Sequence, residues 1–240
     1  MVCVKCWHHH RQKIEIEKTD NEALVMNHWI KTILLLSLSI SVSCFAADGS
    51  GPARTVLEQF ALGLDRFQAD FTQTVRSQDG RIQDQSFGKV WLQSPDKLRW
   101  VYSGDFPETI VADGRNIWIY DEVLAQVTVK PQSRQASDSP LMILADVSQL
   151  DQQFQVTELG DFEDMLLLEL RSLDSESQFE RILLGLDPDG IRMMVMEDAF
   201  GQRTEIRFMD VLRNPPADPE LFEFTPPKDV DVVGVAGLPE

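Results

Sequence analysis

The stretch FQADFTQTV at residues 67–75 decides how this chain is expected to fold, because apolar side chains occupy alternate positions along most of it. A period of two places Phe67, Ala69 and Phe71 on one face of a β-strand and the intervening polar residues on the other. Asp113-Gly114, between two further strand-like segments, is a strong signal for a two-residue hairpin turn. We predict a meandering antiparallel sheet of about eleven strands, at residues 67–75, 86–93, 97–103, 109–112, 116–120, 125–130, 153–159, 165–172, 178–186, 191–198 and 203–212.

Two segments have helical rather than strand-like patterns. Residues 53–64 follow Gly51-Pro52 and carry an apolar stripe of Leu57, Phe60 and Leu64, which is typical of an amphipathic helix. The second segment, residues 137–150, interrupts the run of strands, and Leu141 and Leu144 share one of its faces. The chain shows no internal repeat and no low-complexity linker in this region, so we predict a single domain.

Several predicted strands are apolar on both faces. MLLL at 165–168, ILL at 182–184, MMVM at 193–196 and IWIY at 117–120 show this pattern, whereas antiparallel sheets usually keep one face in water. With only two helices available to cover a second apolar face, the sheet either folds on itself as a sandwich or forms a half-open barrel that holds the helices and an apolar ligand. The pattern alone leaves both possibilities open.

The first 46 residues differ from the rest of the chain. Residues 26–46 have the three-part pattern of a secretory signal peptide, with an apolar centre at 33–42 and Cys44-Phe45-Ala46 before the expected cleavage point at Ala47. An apolar run of about ten residues is too short to span a bilayer as a helix. We interpret residues 1–25 as an extension from a mis-called start, with translation beginning at Met26, and residues 47–240 as the functional domain.

All three cysteines and all four histidines precede Ala47. Residues 47–240 therefore offer no disulfide, no thiol nucleophile, no histidine for acid–base catalysis and almost no means of binding zinc. Cys3, Cys6 and the histidines at 8–10 lack a second ligand pair at zinc-site spacing. We expect neither an enzyme, nor a metal site, nor a bound cofactor.

The domain is strongly acidic. Removing the five basic and four acidic residues of positions 1–46 from totals of 22 and 39 leaves 17 and 35, a net charge of −18. Such a surface repels nucleic acid and anionic membranes and favours basic protein surfaces. The same acidity is equally compatible with a general feature of the source proteome.

Five motifs, in this order and spacing, resemble the periplasmic outer-membrane lipoprotein carrier family, LolA. The resemblance covers nearly all of residues 47–240. The motifs are RFQADFTQ at 66–73, PDKLRW at 95–100, VADG with WIYD at 111–121, SPLMIL at 139–144 and LFEFTPP with VDVV at 221–233.

The resemblance implies an incomplete, half-open antiparallel β-barrel whose hydrophobic inside is covered by a helical lid. It also implies a monomeric carrier without nucleotide or nucleic-acid ligands. Its cargo would be triacylated lipoproteins, received from an inner-membrane ABC transporter complex and passed to an outer-membrane acceptor.

The resemblance also gives otherwise ordinary core residues a function. Without it, the apolar stripes on the helices and on the third strand indicate plain packing, and Met193, Met194 and Met196 are as compatible with core filling as with a flexible lining. The resemblance implies a basic residue, just before the proline that is Pro95 here, which holds the lid shut. Gln93-Ser94 precede Pro95 in this chain, so we assign lid closure to Arg99. The predicted lipid-binding residues are Leu57, Phe60, Leu64, Leu98, Trp100, Ile110, Leu141, Met142 and Leu144.

Two other functions remain as alternatives. A lipid-anchored acceptor of similar fold, the LolB type, requires a lipidated N-terminal cysteine, but Ser41-Val42-Ser43 before Cys44 lacks the usual leucine three positions upstream. A carboxylate-only hydrolase could use two of the 35 acidic residues. No recognisable glycosidase motif surrounds any such pair, and Trp91, Trp100 and Trp118 offer few platforms for a sugar.

Overall fold

The structure, a computed structural model, describes residues 51–132, 140–144, 147–175, 177–216 and 218–237, with the side chains of residues 140, 142 and 219 outside that description. Its main feature is one twelve-stranded sheet. The strands are β1 (Arg66–Arg76), β2 (Ile82–Gln93), β3 (Lys97–Ser103), β4 (Glu108–Asp113), β5 (Asn116–Asp121), β6 (Gln126–Pro131), β7 (Phe154–Phe162), β8 (Met165–Ser172), β9 (Arg181–Asp187), β10 (Gly190–Glu197), β11 (Arg203–Arg213) and β12 (Asp231–Gly234).

The sheet is open. Its strand order is β12-β6-β5-β4-β3-β2-β1-β11-β10-β9-β8-β7, so that β12 and β7 are its two edges. All neighbours are antiparallel except β12 and β6, which run parallel. The prediction of a mainly β, half-open barrel is confirmed, and the sandwich is not what forms.

The alternation in β1 assigns each side chain to a face. Phe67, Ala69 and Phe71 are almost completely buried in the main hydrophobic core, while Asp70 on the other side forms an ion pair with Lys89 of β2 at 3.0 Å. We call the face that carries Phe67 the inner face and its opposite the outer face. The hairpin predicted at Asp113-Gly114 is also confirmed, since β4 ends at Asp113 and β5 begins at Asn116.

Short helices cover the inner face. The helix α1 (Pro52–Ala61) ends three residues earlier than predicted, and Gly63 follows it with a φ of 68°. The described part of the second predicted helical segment forms 3-10 helices at Pro140–Leu144 and Val147–Gln149 and ends in a single α-helical turn, α2 (Leu150–Gln153). A 3-10 helix has three residues per turn, so Leu141 and Leu144 still lie on one face. We call α1, these two 3-10 helices and α2 the lid.

The C-terminal segment, residues 218–234, covers part of the outer face. Its 3-10 helix Pro219–Phe222 buries Phe222, and the Phe224 ring lies 5.7 Å from Trp118 and 6.1 Å from Tyr120 of β5. The segment then adds β12 beside β6, a strand that the sequence analysis missed. None of the helices among the described residues has the length and hydropathy needed to cross a membrane.

A carboxylate from the sheet holds the start of α1. Glu158 of β7 accepts hydrogen bonds from the backbone N–H groups of Ala53 at 3.1 Å and Arg54 at 2.9 Å. The first N–H groups of a helix have no partner within it, and their positive end favours a negative charge. Gly51 gives this carboxylate room, because a Cβ at that position would lie 2.3 Å from Cδ of Glu158.

We therefore predict that Glu158→Ala destabilises the domain by about 1 kcal/mol, a typical value for loss of a helix cap. In a domain of this size, that corresponds to a fall in Tm of roughly 2–4 °C. Thermal unfolding followed by circular dichroism measures it. Glu122→Ala, in an exposed turn, is the matched control, and equal Tm values for the two variants would contradict the capping role.

Candidate functional site

The structure brings the predicted lipid-binding residues together on the inner face. Seven of them belong to one buried hydrophobic cluster, and Ile110 is half-buried against it. The side chain of Met142 lies outside the described residues. Their proximity is therefore established, whereas their contact with lipid stays a prediction. The seven are Leu57, Phe60, Leu64, Leu98, Trp100, Leu141 and Leu144.

The floor of this site is formed by matching residues on adjacent strands. Leu98 of β3 pairs in register with Leu92 of β2 and Ala112 of β4, and the next inner-face row pairs Trp100 with Val90 and Ile110. The Trp100 ring also lies 4.6 Å from the ring of Phe71 on β1. Aromatic pairs at such distances add to the burial of apolar area.

An aromatic row, which the sequence analysis did not assign to the site, continues this floor towards the lid. Phe67 makes edge contacts with Phe60 of α1 at 6.2 Å and with Phe208 of β11 at 5.9 Å between ring centroids. The period-two pattern of β1 could have assigned Phe67 and Phe71 to this surface. Phe208 becomes part of it only because β11 pairs with β1 from far along the chain.

Phe60 anchors the lid in a notch of the sheet. A Cβ on Gly190 of β10 would lie 2.1 Å from the Phe60 ring, and Gly190 has a φ of 120°, which residues other than glycine rarely adopt. The guanidinium of Arg213 lies 5.5 Å from the centre of the same ring. The position of α1 therefore depends on the absence of a side chain at Gly190.

The two α-helices of the lid are joined by an ion pair. Arg54 of α1 donates two hydrogen bonds to Asp151 of α2, at 2.8 and 2.6 Å, and a third to Glu58 at 2.8 Å. The hydrogen bonds with Asp151 and Glu58 raise the pKa of Arg54 above its usual value, and the hydrogen bond from Arg54 lowers the pKa of Asp151. The i,i+4 spacing of Arg54 and Glu58 is visible in the sequence, whereas the pairing with Asp151 is not.

Arg99, to which the sequence analysis assigned lid closure, lies on the face of the sheet opposite the described part of the lid. Its neighbours Leu98 and Trp100 face inward, so alternation along β3 turns Arg99 to the outer face. There its Nη1 donates to the carbonyl oxygen of Leu221 at 3.2 Å. In the described part of the chain, this contact ties Arg99 to the C-terminal segment and not to the lid.

One end of the inner face is polar. The Tyr102 hydroxyl donates to Oε1 of Gln73 at 3.1 Å, and the Gln73 amide donates to Ser86 at 3.4 Å. Burial, assisted by the negative charge of Glu108, raises the pKa of Tyr102 to about 12. Burial and the nearby Asp121 carboxylate also raise the pKa of Glu108. Along β3, the inner face thus changes from apolar at Leu98 to polar at Tyr102.

We predict that Arg54→Gln loosens the lid and lowers Tm at neutral pH. Partly exposed ion pairs contribute up to about 1 kcal/mol, or roughly 2–4 °C here. Because Asp151 has a lowered pKa in the folded protein, its contribution is present above its unfolded pKa and disappears as the pH falls through the folded value. The Tm difference between wild type and variant should therefore shrink on acidification.

The control for this prediction is Arg81→Gln. Arg81 forms an exposed ion pair with Asp79 at 2.8 Å within the β1–β2 turn and joins no separate elements. We expect no measurable change in Tm for this variant. An Arg54→Gln effect that equals the control, or that stays constant with pH, would count against a lid held by Arg54 and Asp151.

Comparison with known proteins identifies the family. Residues 63–225 match the family model described as outer membrane lipoprotein carrier protein LolA. A curated outer-membrane lipoprotein carrier protein of Xanthomonas campestris is 38% identical over 82% of this chain and 95% of its own. One from Dechloromonas aromatica is 36% identical over 81% and 95%.

Solved structures were also compared. A LolA superfamily protein from Nitrosomonas europaea matches 73% of this chain and 99% of its own with a TM-score of 0.41 and 14% identity.

The family model covers more than half of the sequence, and the curated relatives align over nearly their full length. The chain therefore belongs to the outer-membrane lipoprotein carrier family, LolA.

Proposed function

We propose that this protein is a periplasmic carrier that holds the acyl chains of lipoproteins against the inner face of its sheet, where the lid lies in the structure described here. The observation that carries the proposal is an extended apolar face covered by short helices, not by a second sheet. Membership of the carrier family gives this surface its expected cargo.

Cargo can take the place of the lid because both offer the same kind of apolar surface. Leu57, Phe60, Leu141 and Leu144 cover the inner face with apolar side chains. The hydrophobic effect has no directional requirement and scales with the apolar area removed from water. Methylene groups of an acyl chain can therefore replace lid contacts with little net change in free energy, provided the lid moves away.

The size of the hydrophobic effect limits how much of the cargo is enclosed. At about 0.8 kcal/mol per methylene, full burial of one chain of about fifteen methylenes contributes on the order of 12 kcal/mol. Three chains would exceed the roughly 18–21 kcal/mol at which non-covalent affinity saturates. A carrier that must release its cargo therefore encloses the chains only in part.

A carrier that encloses acyl chains only in part needs one partner to supply the cargo and another to receive it. The cargo would come from an inner-membrane ABC transporter complex, because extracting three acyl chains from a bilayer requires an external energy source. Release would follow transfer to a more apolar outer-membrane acceptor, with no nucleotide bound by this chain and no reaction catalysed by it. The net charge of −18 on residues 47–240 would favour basic docking surfaces on both partners.

Binding of acyl chains is testable by titration. We expect an environment-sensitive apolar dye to gain fluorescence on the protein, and a triacylated peptide to displace it, because both need the inner face. The unacylated peptide of the same sequence should not compete. Equal competition by both peptides, or by neither, would refute the proposed function.

Two variants locate the binding to the inner face. Ile110→Glu places a carboxylate on the inner face and should weaken binding of the triacylated peptide at least about tenfold, because burying an unpaired charge against an acyl chain is costly. Val101→Glu, which is half-buried on the outer face of the adjacent strand, is the matched control and should bind normally. Thermal unfolding of both variants shows whether each remains folded.

Export of the protein is tested separately, by intact mass. We propose cleavage between Ala46 and Ala47, so the periplasmic form should have the mass of residues 47–240 without modification. The motif Cys44-Phe45-Ala46 fits signal peptidase better than Ser41-Val42-Ser43 before Cys44 fits lipoprotein processing. A diacylglycerol-modified Cys44 would assign the protein instead to the lipid-anchored acceptors.

A further inference from the structure

One buried hydrogen-bond donor on the inner face has no partner. Trp100 is 8% exposed, and its indole Nε1–H forms no hydrogen bond in the described structure. Buried polar groups are nearly always paired, so each exception calls for a physical explanation. Trp118, on the outer face, shows the ordinary situation, since its Nε1 donates to Oδ2 of Asp113 at 2.9 Å.

The unpaired N–H lies where the inner face changes from apolar to polar side chains. Trp100 stands on β3 between Leu98 and Tyr102, and it faces Ile110 on β4. The indole N–H lies near enough to the Tyr102 hydroxyl to lower the pKa of Tyr102, against the larger raising effect of burial. The hydroxyl itself donates to Gln73, and the geometry between it and Nε1 falls short of a hydrogen bond. The donor therefore sits at the boundary between apolar side chains and the polar end of the face.

The chemistry of the donor limits what can pair with it. An indole N–H only donates, so its partner must offer an acceptor atom, and in a lipid that atom is most often an oxygen. A ligand that suits this boundary has a hydrocarbon chain on the Leu98 side and an acceptor where the chain ends.

The charges nearby decide which acceptor fits. Glu108 of β4 and Asp121 of β5 are paired in register on the inner face, and Asp84 of β2 acts on Tyr102 from the other side. These carboxylates repel an anionic head group. A neutral carbonyl therefore fits this place better than the carboxylate of a free fatty acid.

We propose that Nε1 of Trp100 donates a hydrogen bond to the neutral ester or amide carbonyl oxygen at the head of a bound acyl chain. This inference rests on the proposed function, because it requires that acyl chains occupy the inner face. It adds a polar recognition site, selective for acylated groups over free fatty acids, to a surface that is otherwise apolar. It also supplies a partner for a buried donor that has none among the described residues.

Matched single-chain probes test this site in the whole protein. The probes are 1-monopalmitoylglycerol with an ester carbonyl, N-palmitoylethanolamine with an amide carbonyl, 1-O-hexadecylglycerol with an ether, and palmitate with a free carboxylate. Each competes with the apolar dye. We expect the ester or the amide to bind on the order of three- to tenfold more tightly than the ether, which is the range for one neutral hydrogen bond. The stronger of the two identifies which acyl linkage is recognised.

Variants assign this preference to one side chain. Trp100→Phe should bind the carbonyl probes and the ether equally, because the ratio cancels any loss of packing that all probes share. Tyr102→Phe, which removes only the neighbouring hydroxyl, should keep the preference. The inference is overturned if the preference survives in Trp100→Phe, if it disappears only in Tyr102→Phe, or if palmitate binds more tightly than the ester.

Nuclear magnetic resonance provides a readout that needs no Trp100 variant. The indole N–H signal of Trp100, assigned by elimination with Trp91→Phe and Trp118→Phe, should move downfield with the ester and not with the ether. The same position in both complexes would overturn the inference. Binding of all probes with equal affinity would refute this site alone, whereas failure of every probe to bind the wild type would refute the proposed function as well.

Discussion

The structure depends on one constraint: an open sheet with apolar side chains on both faces must have each apolar area covered. Closure into a complete barrel would bury one face, but β7 and β12 remain as separate edges. The inner face is therefore covered by the lid, and the outer face of β3 to β5 by the C-terminal segment. Each short helical segment in the described chain has its place because of this requirement.

The two coverings differ in how they are attached. The C-terminal segment continues into β12, whose backbone pairs with β6 along four residues. Among the described residues, a backbone hydrogen bond joins the lid to the sheet, from the Leu173 N–H just after β8 to the Gln153 carbonyl oxygen of α2. Other attachments are made by side chains: Glu158 at the start of α1, Phe60 above Gly190, and Arg54 with Asp151. Side-chain contacts can break without disturbing the ladder of strands.

The sequence could predict what depends on local pattern. Strand-like residues at hairpin spacing located eleven strands, and period-two alternation placed Leu98 and Trp100 on the same face of one of them. The turn at Asp113-Gly114 follows from residue preference. For Met193, Met194 and Met196, residue type alone did not predict which face of the sheet each side chain occupies. Met194 lies in the inner core, while Met193 packs on the opposite side with Met165, Leu183 and Val195.

The features that escaped prediction depend on distant parts of the chain. β12 pairs in parallel with β6, although about a hundred residues separate the two strands in the sequence, and no turn motif predicts this pairing. Arg54 meets Asp151, and Glu158 reaches α1, only after the sheet has brought β7 next to the start of the domain. Arg99 was assigned to lid closure because family members use a basic residue nearby, and alternation along β3 turns it to the outer face, where it contacts the carbonyl oxygen of Leu221. Its role in closure stays a prediction.

The inner face changes from apolar to polar along β3. Burial of methylenes supplies affinity but no orientation, because the hydrophobic effect has no angular preference. Along β3, alternate positions change from Leu98 through Trp100 to Tyr102, and Glu108 pairs with Tyr102 at the polar end. A chain with a polar head loses the fewest hydrogen bonds when its head lies at that end. If acyl chains bind the inner face as proposed, every second residue of β3 would give the bound chain its orientation.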